Sequence, residues 1–325
     1  MRRLGFLGAC AMLALCSRPG ECAPERTVAI TVDDLPYAGG TFPWPDAPAV
    51  AQAAAMVNRR LLAAFKAGHV PVTGFVIQKR VESLGPQGIR ILRDWTSQGF
   101  DLANHTYSHP DINQLSPEEI EDEIVRGESA FGPLMREVGK KPEFFRFPMN
   151  HTGDTQTKHD RIAAFLTGRG YRLAVCTIDN SDYLFNDAYA RMLARDDGSA
   201  ARKLRRAYLA YTRAEIDYYA ALNQQVFGYE PPQVMLLHDN RLNARVIGQL
   251  LTLFEKKRYR FVSLAAAQSD AAYRTPDTYT TRYGPMWGYR WAKERDVKVN
   301  GRLEPEPPAW ILHYGEAKAQ PDRQP

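Results

Sequence analysis

Short β-branched or apolar runs alternate with helical patterns along most of this chain, and that alternation predicts its fold class. "TVAITV" (27–32) reads as a strand, and 47–68 then repeats Val50, Ala54, Val57, Leu61 and Phe65 at helical spacing, with Gly68 as a stop. "VPVTGFVI" (70–77) predicts a second strand, "GIRILRDWTSQG" (88–99) a second helix, and "FDLANH" a third strand end. Ser116 as N-cap, Pro117 at the first helical position and Glu119 three residues past the cap spell a capping box. Further strands are expected at 143–147, 172–178, 233–238 and 259–264, and helices around 155–168 and 242–257. About seven strand-then-helix units predict an α/β fold with a parallel sheet, open or closed into a barrel.

Two regions depart from the alternation. A helical insert over 187–227 is rich in Arg, Ala and Tyr, and after residue 268 the chain loses clear periodicity. The insert is expected to pack on the exterior with Tyr208, Tyr211 and Tyr218 in its core, the alternative being a lid over a site. The tail, 269–325, is expected to wrap the main domain, with Trp287 and Trp291 packing it down instead of forming a sugar platform, and to end disordered in "EAKAQPDRQP".

At 325 residues the chain can bury one sizeable core, and 44% hydrophobic with 24% charged residues excludes disorder throughout. The net charge of +5 is too small and dispersed to argue for a nucleic-acid partner. "MRRLGFLGACAMLALC" has the charged-then-apolar order of a secretory signal peptide (1–23), too short to span a bilayer, with cleavage near "GECAPE" and a mature start around Pro24. A lipid anchor fits less well: the apolar run before Cys10 is too short, and Leu stands before Cys16 where a small residue is wanted. The expectation is an exported protein, periplasmic or secreted. At most Cys22 and Cys176 remain in the mature chain, so no disulfide framework is implied, and Cys176 in an apolar run reads as a buried free thiol.

"DLANHTYSHPDIN" (101–113) sets His105 and His109 four apart, either a metal-binding pair or two ordinary histidines in a turn ahead of Pro110. Position is more informative. Asp33 and Asp34 follow the first strand, His105 and His109 the third, Arg146 the fourth, Asp179 and Asp182 the fifth, and His238 ends the sixth. In a parallel α/β fold the C-terminal strand ends share one face, so these residues converge. Each alone is an ordinary turn residue, but together their chemistry closes. Two imidazoles and a carboxylate make a catalytic zinc shell with room for water, and of Asp33 and Asp34 one can bind the metal while the other takes the water's proton. His238 can protonate a leaving group, Arg146 can hold a carboxylate ionised, and Asp182 can orient Arg146 or His238. The set describes metal-assisted hydrolysis of an amide or ester. Among other polar residues, His69 reads as a turn residue, His151 as a loop hydrogen-bonder beside the site, His159 and His313 as surface positions, and Asp179 as a site wall or a strand-end cap.

"TVDD" (31–34), "HTYSH" (105–109), "RFP" (146–148), "DNSDY" (179–183) and "LLH" (236–238) resemble the five ordered motifs of the NodB-like polysaccharide deacetylases, carbohydrate esterase family four, over about residues 26–264. The resemblance implies a distorted (β/α) barrel of fewer than eight strands, here a catalytic domain over 24–268 with a helical insert and an irregular C-terminal tail. It implies Asp33 as general base, Asp34, His105 and His109 as ligands of a divalent metal such as zinc, Arg146 as partner of the base, and His238 as general acid. The backbone N–H of Met149, just after Pro148, would be the oxyanion donor. Asn150 stands where the family has Gly, with Gly153 three residues later, and Tyr183 stands where it has Trp as an aromatic wall. The implied activity is removal of acetyl groups from N-acetylated or O-acetylated carbohydrate, an oligosaccharide or a cell-wall polymer. Alternatives are a hydrolase of small non-sugar amides and a silent carbohydrate-binding protein, though a binding module has no need of both Asp33 and His238.

Overall fold

The computed structural model describes residues 25–314. Its sheet is organised around β1 (Arg26–Leu35), buried from Val28 to Leu35, as an inner parallel strand covered on both faces must be. α1 (Ala47–Ala67), with its apolar face on the core, returns the chain to β2 (Val72–Val76), which pairs with β1. The short α2 (Gln78–Ser83) and α3 (Pro86–Ser97, with Pro86 at its start) lead to β3 (Asp101–Asn104) beside β2. The capping box forms: Ser116 accepts from the Glu119 N–H, and Glu119 accepts from the Ser116 N–H at 2.7 Å. It heads α4 (Pro117–Gly127), and the helical stretch resumes as α5 (Phe131–Glu137). The sheet continues through β4 (Phe144–Phe145), α6 (Gln156–Gly168) and β5 (Arg172–Leu173).

The insert is two helices, α7 (Asp182–Ala194) and the 30-residue α8 (Gly198–Phe227), and it begins five positions before the expected start at 187. β6 (Gln233–His238) pairs with β1 on the side away from β2's ladder run, α9 (Arg241–Lys256) packs beside α1, and β7 (Tyr259–Phe261) joins the first residues of β1. α10 (Leu264–Ala267) ends the expected strand 259–264 early, because Ser263 caps it by accepting from the Ala266 N–H.

All pairings are parallel, in the order β5-β4-β3-β2-β1-β6. A bridge from Ile178 to Met235 brings the chain leaving β5 onto β6, so the sheet curls round on itself. The structure is thus the distorted (β/α) barrel that the family resemblance implies, and it closes the choice between open sheet and barrel that the strand pattern left. The strand expected at 172–178 shrinks to two residues because Thr177 takes over from the ladder: the Val234 N–H donates to its hydroxyl oxygen at 2.8 Å. Cys176 is buried and free, and burial pushes its thiol well above the ordinary range.

The tail is more regular than its sequence suggests. It holds α11 (Trp287–Glu294) and α12 (Ala309–Leu312), and Trp287 and Trp291, on one face of α11, are buried with Val226 and Phe227 of α8. Among the described residues no helix is long and apolar enough to cross a membrane. The expected signal peptide, Cys10, Cys16, Cys22 and the terminal "EAKAQPDRQP" lie outside them.

Candidate active site

The two histidines meet without a helix. Residues 105–111 are irregular, and left-handed backbone at Thr106 (φ 72°) and His109 (φ 61°) folds the segment back, bringing the imidazole centroids to 5.0 Å. Asn104 fastens the turn: its side chain accepts from the Thr106 N–H at 2.9 Å and donates to the Ile124 carbonyl of α4 at 2.8 Å. Gly127 must be glycine here, since a Cβ would lie 2.5 Å from Asn104 Oδ1. Asp34, at a bulge late in β1 with φ 70°, brings Oδ1 to 3.6 Å from His105 Nε2 and 3.5 Å from His109 Nε2.

This Oδ1 is buried and has no hydrogen-bond partner, a costly state unless something positive sits before it. Nδ1 of His105 lies 2.9 Å from the Arg146 carbonyl, so it carries the proton and leaves the Nε2 lone pair facing Asp34. Burial pushes His105 down to about 4, and burial likewise lowers His109. Burial alone would raise Asp34, but Arg80, His109, His238 and His105 hold it below the usual carboxylate range. Burial thus shifts both imidazoles toward the neutral, lone-pair form and the surrounding cations favour the Asp34 carboxylate, the direction a metal site requires. The donor set fits a divalent metal: three ligand atoms lie within 4.8 Å of one another around an orphaned buried oxygen.

Asp33 and His238 are paired residues of the β1–β6 ladder. Arg146, 1% exposed, donates from Nη1 to Asp33 Oδ1 at 2.6 Å and to Thr31 Oγ1 at 2.8 Å, donates from Nε to the Ala174 carbonyl, and lies 4.2 Å over the Phe75 ring. Asp33 Oδ2 is left 3.8 Å from His105 Nε2, on the metal-ligand side. Asp182 orients His238, not Arg146. Fully buried at the head of α7, it takes His238 Nδ1 at 2.6 Å and the His238 backbone N–H at 2.7 Å, and the Asn240 and Asn243 side chains also donate to it. Burial would lower His238, but Asp182 first, then Asp34 and Asp33, raise it to about 10.

These residues open into a cleft of about 410 Å³ whose walls include Asp33, Asp34, both histidines and His238. Met149 and Asn150 line it with consecutive left-handed backbone, φ 55° and 54°. Pro148 is buried and absent from the lining, so it shapes the turn instead of touching a ligand. Tyr183 is half exposed at the wall, its ring 6.2 Å from that of His238. Asp179 is a wall residue that also caps: it accepts from the Ser181 N–H at 2.9 Å, and desolvation with Asp182 nearby raises it to about 6.

Several participants carry no local sequence signal. Arg80 of α2 donates to Asp34 Oδ2 at 2.9 Å, Asn186 and Asp187 of α7 line the cleft, and so do Gly284 and Met286 of the tail. The first turns of α7 therefore form a wall, whereas α8 packs outside with Tyr208 and Tyr211 buried and Tyr218 half-buried. His159 is no surface residue: it is buried, with Nδ1 2.9 Å from the Thr152 carbonyl and Nε2 2.7 Å from that of Asp277. His151 bonds Asp111 at 2.8 Å from a loop, His69 occupies a left-handed turn (φ 51°), and His313 is exposed.

A sequence profile of the family described as polysaccharide deacetylase matches residues 20–165. A chitooligosaccharide deacetylase of Bradyrhizobium sp. is 30% identical over 111 residues, 34% of this chain and 41% of that protein. A peptidoglycan-N-acetylglucosamine deacetylase of Bacillus cereus is 24% identical over 124 residues, 38% of this chain and 40% of that one. The matched segments thus span about two fifths of these curated relatives. Among solved structures, a polysaccharide deacetylase from Bacillus cereus has a TM-score of 0.50 at 17% identity, covering 74% of this chain and 92% of its own. A family 4 carbohydrate esterase pseudoenzyme from Bacillus anthracis also scores 0.50, at 14% identity, covering 76% and 66%. Both likenesses establish the fold.

Proposed function

We propose that this chain, whose residues 20–165 match the polysaccharide deacetylase family, is an exported, metal-dependent NodB-like hydrolase of carbohydrate esterase family four that releases acetate from N-acetylated amino sugars. The observation that carries the reading is the orphaned Asp34 Oδ1, facing Nε2 of both histidines beside a paired Asp33 and His238. Export is supported by the arginine-then-apolar leader of the sequence.

Asp34, His105 and His109 would hold the ion, zinc by the nature of the donors. A bound ion there supplies an acidified water and a polarised carbonyl. Asp33, its Oδ1 held by Arg146, takes the water's proton at Oδ2 as the water attacks the acetyl carbon. The Met149 N–H donates to the oxygen that gains charge. His238, held through Nδ1 by Asp182, gives its Nε2 proton to the departing nitrogen, leaving acetate and a free amine. A silent binding role is disfavoured because both Asp33 and His238 have dedicated buried partners, Arg146 and Asp182, which binding alone does not require.

The test is acetate release from chitin oligosaccharides, peptidoglycan fragments and acetylated xylan, before chelation, after it and with zinc restored. Release that disappears with the chelator and returns with zinc supports the reading and names the sugar. No release from any sugar by metal-loaded protein would overturn it in favour of a small-amide hydrolase or a binding protein.

A further inference from the structure

The structure assigns to Arg290, in the C-terminal segment far outside the family match, the task of holding the Met149–Asn150 turn in its working shape. The proposal rests on the deacetylase reading above.

Two successive non-glycine residues in left-handed backbone are sterically disfavoured, since each Cβ crowds the neighbouring carbonyl. Met149 (φ 55°) and Asn150 (φ 54°) are such a pair, and the turn stands only if its surroundings over-determine it. The surroundings are the tail. Arg290, 1% exposed, donates from Nη2 to the Asn150 carbonyl at 2.8 Å and from Nη1 to Thr152 Oγ1 at 2.7 Å. Its guanidinium is aimed by Asp277 (3.3 Å), by the Pro285 carbonyl (3.2 Å at Nε) and by the Trp287 ring, 4.4 Å beneath it.

On the other side, the backbone at Gly284 closes on the turn: a Cβ there would lie 1.8 Å from the Met149 carbonyl oxygen and 3.0 Å from Asn150 Cβ. α11 is itself pinned to the barrel, with the Trp287 N–H donating to the Cys176 carbonyl at 3.1 Å. His159, reaching both the Thr152 and Asp277 carbonyls, ties loop to tail a second time. Where a glycine at 150 would adopt this backbone unaided, Asn150 is held in it by Arg290. Arg290 is a positioning residue: it acts through the turn that carries the Met149 N–H.

The experiment compares Arg290→Met, Arg290→Lys and the double variant Arg290→Met with Asn150→Gly in the full chain. Arg290→Met should lower kcat by about 10- to 100-fold, on the scale of a misplaced oxyanion donor, with KM and zinc stoichiometry unchanged. Arg290→Lys, keeping the charge but not the two-pronged grip, should fall between. Adding Asn150→Gly should return kcat to within about fivefold of wild type, because glycine takes the left-handed backbone without strain. Amide exchange over 146–155 should accelerate in Arg290→Met.

A kcat within twofold of wild type in Arg290→Met, or a loss that Asn150→Gly leaves uncorrected, overturns the assignment. If Arg290→Met fails to fold, Gly284→Ala pushes the same turn from its other side, and wild-type kcat in that variant overturns it equally. Should wild-type protein release no acetate, the deacetylase reading fails separately, and unchanged exchange over 146–155 in Arg290→Met would still refute the positioning role.

Discussion

One side of the cleft is made by Asp33, Asp34, His105 and His109, from the ends of β1 and β3, and the other by Tyr183, Asn186 and Asp187 from α7 with Gly284 and Met286 from the tail. The first side is a closed charge network: Arg146 grips Asp33, Arg80 grips Asp34, and the Arg146 carbonyl fixes His105. The second is more open, with Tyr183 51% exposed and Met149, which also lines the cleft, 46% exposed. The difference is one of electrostatics against shape. A reacting carboxylate must keep its charge and aim in a dry site, which takes buried partners, whereas a wall that meets a sugar needs surface to offer. Changes on the first side should therefore strike turnover, and changes on the second should strike substrate affinity.

The largest effect is expected from Asp33→Asn, which keeps the shape but removes the base. kcat should fall by about 10³-fold while metal analysis still finds one ion per chain. Loss of the ion would break the division of labour between Asp33 and Asp34.

Asp182→Asn should act next most strongly, and through pH. His238 is raised to about 10 mainly against burial by the Asp182 carboxylate, so it stays protonated across neutral pH. Because the folded-state value exceeds the unfolded one, its stabilising contribution is complete below about 6.5 and drains away as pH climbs through about 10. Without the Asp182 charge the folded-state value falls, so the alkaline limb of kcat/KM should move to lower pH and the decline in melting temperature between neutral pH and 10 should shrink. An unmoved alkaline limb would remove His238 from the acid's role.

On the other wall, Tyr183→Ala should raise KM for an acetylated oligosaccharide by roughly 3- to 10-fold with kcat nearly unchanged, the worth of one aromatic contact. A kcat loss as large as that of Asp182→Asn would erase the contrast between the walls. The smallest effect is expected from Ser116→Ala, which deletes the α4 capping box. It should cost about 1 kcal/mol, read as a small fall in melting temperature, with kcat untouched because α4 lines neither wall.

Much of this was determined by the sequence alone. The alternation of strand and helix patterns, the capping box at Ser116 and the polar residues after successive strands all follow from rules that act over a few residues, and they suffice for a parallel α/β sheet, open or closed, with Asp33, Asp34, His105, His109, Arg146 and His238 converging at its strand ends. The tertiary structure decided the rest. His105 and His109 meet through a left-handed turn fastened by Asn104 and α4, where four-residue spacing also suits a helix face. Asp182 serves His238 because α7 begins at it, and that start was hidden in a longer helical pattern. Arg80 on Asp34, the wall made by α7, and Arg290 gripping Asn150 from 140 positions away depend on contacts between segments whose own sequences give no hint of each other. Local chemistry sets which groups can react. Which other groups hold them in place is settled only when distant parts of the chain are packed together.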